Sequence, residues 1–279
     1  MREVDRWPNP LMVFLALTLL ACTARSAIAE GPRRAVYVTD PTSLTVDGPA
    51  RRDFLALIDQ KAITDVVPYG LGGLLEGRDG RRVLASWIDD LRARGARVIV
   101  PVASGRRLGA LDVLFREHAS TSIDGVITEL EYWNATTDSR TAAFEAFTSL
   151  LGEMRARRSS WAHPSLRVGA YLGYPTPAEA SAIVALVDFV FLSYAVNTPE
   201  SAWSKTFATR GSLRARYAAF RQIERWPIFY ARGEVVMKAA QTTRGRAVAE
   251  RVFLRDSRRE REGAPAGFAY FTLEAMRAE

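Results

Sequence analysis

Cysteine is almost absent from this chain of 279 residues: Cys22 stands alone, so no internal disulfide can form. Histidine is nearly as scarce. His118 and His163 lie far apart, with no other His or Cys at metal-ligand spacing, which argues against a zinc site. A Ser-His-Asp triad is equally hard to place, because His163 precedes Pro164 in a loop and His118 sits in a helical run. Lysine is limited to Lys61, Lys205 and Lys238, so the formal charge of +7 and pI of about 9.8 rest on arginine. No basic run interleaves with aromatics as a nucleic-acid track requires, and nucleic acid is not an expected partner. Arg258, Arg259 and Arg261 instead alternate with Glu260 and Glu262, as on a solvated helix face. No apolar run reaches the ~20 residues of a membrane span. No Gly-x-Gly-x-x-Gly follows the first strand candidate, and Gly70-Leu71-Gly72-Gly73 lacks phosphate-cradle spacing. No cofactor or metal is expected.

The N-terminus carries a different signal. Arg2 and Arg6 precede an apolar run from Leu11 to Ala21, followed by small residues and Ala27-Ile28-Ala29. A charged start, a short apolar stretch and an Ala-x-Ala site describe a secretory signal. Residues 1–29 are therefore expected to be a signal peptide of an exported bacterial protein. Leu19-Leu20-Ala21-Cys22 also resembles a lipoprotein box, with Cys22 as lipidation site, but Leu20 is bulky for it. Cleavage after Ala29 is favoured over lipidation. The destination is then secreted or periplasmic, or a lipid anchor at the membrane.

Residues 30–279, in a chain that is 48% hydrophobic, have enough apolar mass for one core. Short apolar runs alternate with helical periods along their whole length. Strand candidates fall at 35–38, 64–69, 97–102, 123–131, 166–172, 188–195, 227–231 and 267–273. Eight such units in this length predict an α/β fold, a single (β/α)8 TIM barrel. An open doubly wound sheet shares the alternation, but the missing glycine fingerprint disfavours it. Gly95, after Arg94, suits a helix C-terminus before the third strand.

Reactive groups in such barrels gather where strands end. The strand ends here hold Asp40, Tyr69, Tyr171, Tyr194, Tyr230, Arg232, Tyr270 and Glu274. Tyrosine offers an apolar face with a polar tip, suited to a sugar ring. In Asp124-Gly125-Val126-Ile127-Thr128-Glu129-Leu130-Glu131-Tyr132-Trp133, a period of two places Ile127, Glu129, Glu131 and Trp133 on one face. That face is expected to line the lumen. Two carboxyls in a closed site repel, so one pKa should rise, as general-acid catalysis requires. A structural pairing with Arg232 is the bland alternative.

This segment resembles the fourth-strand signature of family-18 glycoside hydrolases, the chitinases and endo-N-acetylglucosaminidases, written D-G-x-D-x-D-x-E. Asp124-Gly125 match its D-G, Glu131 matches its catalytic acid, and Glu129 stands at the Asp that orients the substrate acetamido group. Ile127 replaces the first Asp. Tyr194 resembles the sixth-strand Tyr that holds the acetamido oxygen, though Ala195 replaces the Asp that follows it. The resemblance implies an exported glycosidase acting on an N-acetylhexosamine-containing glycan, with Glu131 as general acid and Glu129 beside it. Retention would then come from the substrate's own acetamide. A carbohydrate-binding barrel without turnover is the alternative. For export, intact-mass analysis of natively expressed protein is expected to show a chain starting at Glu30, or a lipidated Cys22. Full-length chain from Met1 in the cytoplasm would refute both.

Overall fold

The computed structural model describes residues 32–161, 165–193, 217–230, 246–259 and 261–271. Its strands are β1 (Arg33–Val38), β2 (Asp65–Pro68), β3 (Arg97–Val102), β4 (Gly125–Thr128), β5 (Arg167–Leu172), β6 (Phe189–Ser193), β7 (Glu224–Tyr230) and β8 (Gly267–Phe271). All run parallel, each beside its successor, and β8 pairs with β1. A closed eight-stranded parallel barrel with helices between its strands is the (β/α)8 fold. The described helices are α1 (Thr42–Thr45), α2 (Pro49–Lys61), α3 (Gly72–Glu76), α4 (Arg78–Ala93), α5 (Gly105–Glu117), α6 (Thr137–Ser160), α7 (Pro177–Val184) and α8 (Arg246–Arg259).

Local chemistry sets the element ends. In α4, Leu84, Trp87, Ile88 and Leu91 repeat at helical spacing and are buried. The helix stops at Gly95, whose φ of 78° is the left-handed conformation glycine tolerates. Its N–H donates to the Arg92 carbonyl and that of Ala96 to Leu91, a Schellman closure. Asp124 stands just before β4 and accepts from the Val98 backbone N–H at 2.9 Å and from Arg92 at 2.6 Å. Asp188, before β6, does the same for Val168 and Arg158. Asp124 thus belongs to the strand start, where it latches β3 to β4.

The strands' period of two divides the core into two layers. Val36, Val66, Val98, Val126, Val168 and Val190 pack outward under the helices. Tyr37, Val67, Ile99, Ile127, Phe191 and Trp226 fill the lumen. Gly169 leaves room for this filling, since a Cβ there would lie 2.2 Å from the Phe189 ring.

Below the aromatics, at the strand N-termini, lies a network of charges. Asp65, fully buried, accepts from Arg33 at 3.2 Å and from Arg97 at 2.8 Å. Glu224 accepts from Arg33 at 3.2 Å and from Arg167 at 2.8 Å. Arg33 stacks over Trp226 at 4.5 Å and Arg167 over Phe189 at 4.8 Å. Burial pushes the Asp65 carboxyl from 3.8 up to about 6, outweighing Arg33, Thr64 and Arg167, which pull it down. The folded state then holds more protons than the unfolded chain between these values, so stability falls as pH climbs through that window. Relative to Asp65→Asn, the wild type is expected to lose on the order of 2–3 kcal/mol between pH 4 and 6, read from urea unfolding. Parallel pH curves for the two proteins would refute this.

Candidate active site at the barrel mouth

β4 ends at Thr128, the last residue paired with both β3 and β5. Beyond it the chain leaves the sheet and enters a single 3-10 turn, Tyr132–Asn134. Ile127 fills the lumen and Val126 packs under the helices. Glu129 keeps the inward side of Ile127 and lines a cleft of about 220 Å³ at the C-terminal mouth. Tyr69, Gly70, Leu71, Pro101, Val102, Ala103 and Arg107 form the rest of its wall. The Oε1 of Glu129 is sealed from solvent with no hydrogen-bond partner among the described residues. Burial pushes the Glu129 carboxyl from 4.5 up to about 7; the nearby Tyr37 hydroxyl lowers it and the Glu131 charge raises it.

Glu131 departs from the expected direction. A strand running through Glu131 would turn both carboxyls into the lumen, but pairing has stopped three residues earlier. Its backbone lies at φ −83°, ψ 60°, where it caps the 3-10 turn. The side chain is exposed at the rim, and its Oε2 accepts from Asn134 Nδ2 at 2.5 Å. The site thus has one buried carboxyl, with a second exposed carboxyl two residues further along. The raised pKa expected of one carboxyl of the pair falls on Glu129.

Trp133 is corrected for the same reason. It is buried in the layer between sheet and helices, edge-on to Tyr132 at 5.3 Å and to Tyr171 at 5.5 Å. Gly173 accommodates its indole, since a Cβ there would come within 2.5 Å of Nε1. Trp133 therefore belongs to the packing between sheet and helices. Tyr171, partly buried, packs against both layers.

Tyr69 is 45% exposed and shares the cleft with Glu129. Asp40 is exposed and accepts from the Ser43 backbone N–H at 3.4 Å, which ties it to the turn into α1. Tyr270 is a correction of direction. It shares the outward side with Phe268, is fully buried, and its hydroxyl contacts Glu250 of α8 at 2.5 Å. Phe271 takes the inward place beside it and packs on Tyr37 at 5.3 Å. Tyr230 pairs with Phe271 in the sheet, and its side chain lies outside the description. Tyr194, Arg232, Glu274 and Cys22 lie outside the described residues.

Arg107 lines the cleft, although the strand-end pattern did not single it out. It follows Ser104, the N-cap of α5, whose Oγ accepts from the Arg107 backbone N–H at 3.4 Å. A loop serine three residues ahead of an arginine, directly after β3, is the signal that could have marked it.

No protein-family model matches the sequence, and no curated protein matches it. Among solved structures, the glycoside hydrolase domain of PelA from Pseudomonas aeruginosa is similar, at 12% identity and a TM-score of 0.50. The match covers 88% of this chain and 97% of that one. An endo-β-N-acetylglucosaminidase from Cordyceps militaris aligns at 11% identity over 91% of this chain and 84% of its own, with a TM-score of 0.48. At such identities the likeness is one of fold: the chain shares a (β/α)8 barrel with the PelA glycoside hydrolase domain.

Proposed function

We propose that this chain is an exported glycoside hydrolase cleaving an N-acetylhexosamine-containing glycan, with Glu131 as proton donor and Glu129 as its buried partner. The observation that carries the reading is a carboxyl protonated near neutral pH, set in the cleft at the end of β4. Acid attack on a glycosidic oxygen requires such a proton. Glu131, exposed at the rim, has the reach to deliver it to a bound chain. The buried Glu129 carboxyl holds its proton up to about pH 7. As that proton passes to the leaving oxygen, the pair is left with the negative charge. This charge stabilises the positive ring formed when the substrate's acetamide attacks the anomeric carbon, after which water opens the ring. Tyr69 supplies an exposed ring against which a sugar face can lie. The resemblance of Asp124-Gly125 through Glu131 to the family-18 signature supports the same assignment.

A binding barrel without turnover is favoured by one feature. Ile127, fully buried in the lumen, gives Glu129 an apolar neighbour where the signature has a proton-relay Asp.

Screening chitin oligomers, peptidoglycan and glycoproteins for cleavage tests the two readings. A glycan bound but not cut supports the binding barrel. On a cleaved glycan, Glu131→Gln is expected to lose about 10²–10⁴-fold in turnover while the fold survives. Retained turnover would remove Glu131 from the acid role. Because the raised pKa keeps the proton in place up to about 7, kcat/KM should fall as pH climbs through that value. Glu129→Gln should lose rate and erase that limb. Tyr37→Phe removes the hydroxyl that lowers the pKa, so it should move the limb to higher pH. A limb unmoved in both variants would assign the titration to another group.

A further inference from the structure

One wall of the cleft is cationic. Arg107 lines the cleft that holds Glu129 and also a second recess of about 160 Å³, walled by Gly72, Leu75, Glu76, Ser104 and Arg106. Its guanidinium lies against Gly72, where a Cβ would stand 3.4 Å from Nη2. Many arginines of this chain clamp carboxylates: Arg51 holds Asp90, Arg81 holds Glu117, and Arg140 holds Glu179. Among the described residues the Arg107 guanidinium makes no hydrogen bond or ion pair. Glu76, the nearest acid along the recess wall, is turned to Arg106 at 3.6 Å. Glu129 shares the cleft, yet the groups acting on its carboxyl are Tyr37 and Glu131.

Arg107 is partly buried and, among the described residues, its guanidinium N–H donors are left free of protein partners, available to an anion. Its planar fork of N–H donors matches a carboxylate bidentately, which an ammonium or an amide does not. The start of α5, capped by Ser104, adds a weak favourable field for negative charge at the same wall.

Taking the cleft as a glycan-cleaving site, on which the inference rests, we propose that Arg107 is a specificity-determining residue that binds a carboxylate substituent of the glycan. The substrate class is then an acidic N-acetylhexosamine glycan, and neutral chains of the same backbone are poorer ligands. Arg107 takes no part in proton transfer.

Three tetrasaccharide probes of one β-1,4 backbone separate charge from bulk. They are chitotetraose, the alternating N-acetylglucosamine–N-acetylmuramic acid tetrasaccharide, and the latter with its carboxylates converted to amides. Binding is measured by calorimetry in the Glu131→Gln background, and kcat/KM in the otherwise wild-type protein. A charged, bidentate contact should favour the carboxylate probe over both neutral probes by about tenfold or more. In Arg107→Gln the three affinities should converge to within about twofold of one another. Arg107→Lys, which keeps charge but loses the fork, should fall between. Gly72→Asp leaves Arg107 in place and sets an acid against its guanidinium, so it should abolish the preference even if Arg107→Gln folds poorly. The preference should also weaken with added salt. Equal treatment of the three probes by the parent protein, or a preference that survives both Arg107→Gln and Gly72→Asp, overturns the proposal. If any probe is still cleaved, the glycosidase reading stands without it. If none of the three is bound or cleaved, that reading fails for these glycans and the proposal falls with it.

Discussion

The lumen of this barrel is packed shut. Tyr37, Phe189, Phe191, Trp226 and Ile127 occupy the space between the strands, and the rings of Tyr37 and Phe191 meet at 6.1 Å. Such interiors approach crystal density, so no ligand passes through and no polar group is tolerated there without a partner. Polar chemistry is therefore forced to the two ends. At the strand N-termini it takes the form of a closed network, in which Asp65 and Glu224 are shared among Arg33, Arg97 and Arg167. At the C-termini it is open: Glu129 sits at the upper surface of the packing with one oxygen unbonded, facing a cleft.

The two ends show how one force gives different outcomes. Desolvation raises the pKa of both Asp65 and Glu129. For Asp65, arginines answer the charge directly, and the acid does structural work, tying β1, β2 and β3 together. For Glu129 the opposing influence is one tyrosine hydroxyl, and the nearby acid Glu131 adds to the rise. A neutral acid beside an open cleft is poised for proton transfer; a carboxyl locked under aromatics and held by arginines is not. Direction of shift alone does not separate them, whereas access does.

The eightfold alternation was readable in the sequence because each strand is a near-continuous apolar run, as a sheet buried on both faces demands. Asp188 repeats the strand-start role of Asp124 two strands later in the barrel. What the sequence could not disclose was where β4 stops. Alternation continues in the letters through Glu131 and Trp133, while backbone pairing ends at Thr128. Past that point the period of two no longer governs direction, and Glu131 and Trp133 follow the 3-10 turn instead. Tyr270 illustrates a different failure. It lies near a strand end, but its parity, shared with Phe268, sends it toward the helices.

Arg107 was hidden because arginine is everywhere in this sequence and most copies are spent on the surface. Its distinction lies in what surrounds it, not in its spacing. An arginine and a glutamate lining one cleft would ordinarily close into a salt bridge, and each would then cancel the other. Here the acid is buried and neutral up to about pH 7, so it offers the guanidinium little charge to answer. The cleft keeps a proton at one wall and, at another, a positive charge without a protein partner among the described residues. Each is maintained because the other does not consume it. That separation is the physical condition for a site that both binds an anionic group and donates a proton nearby.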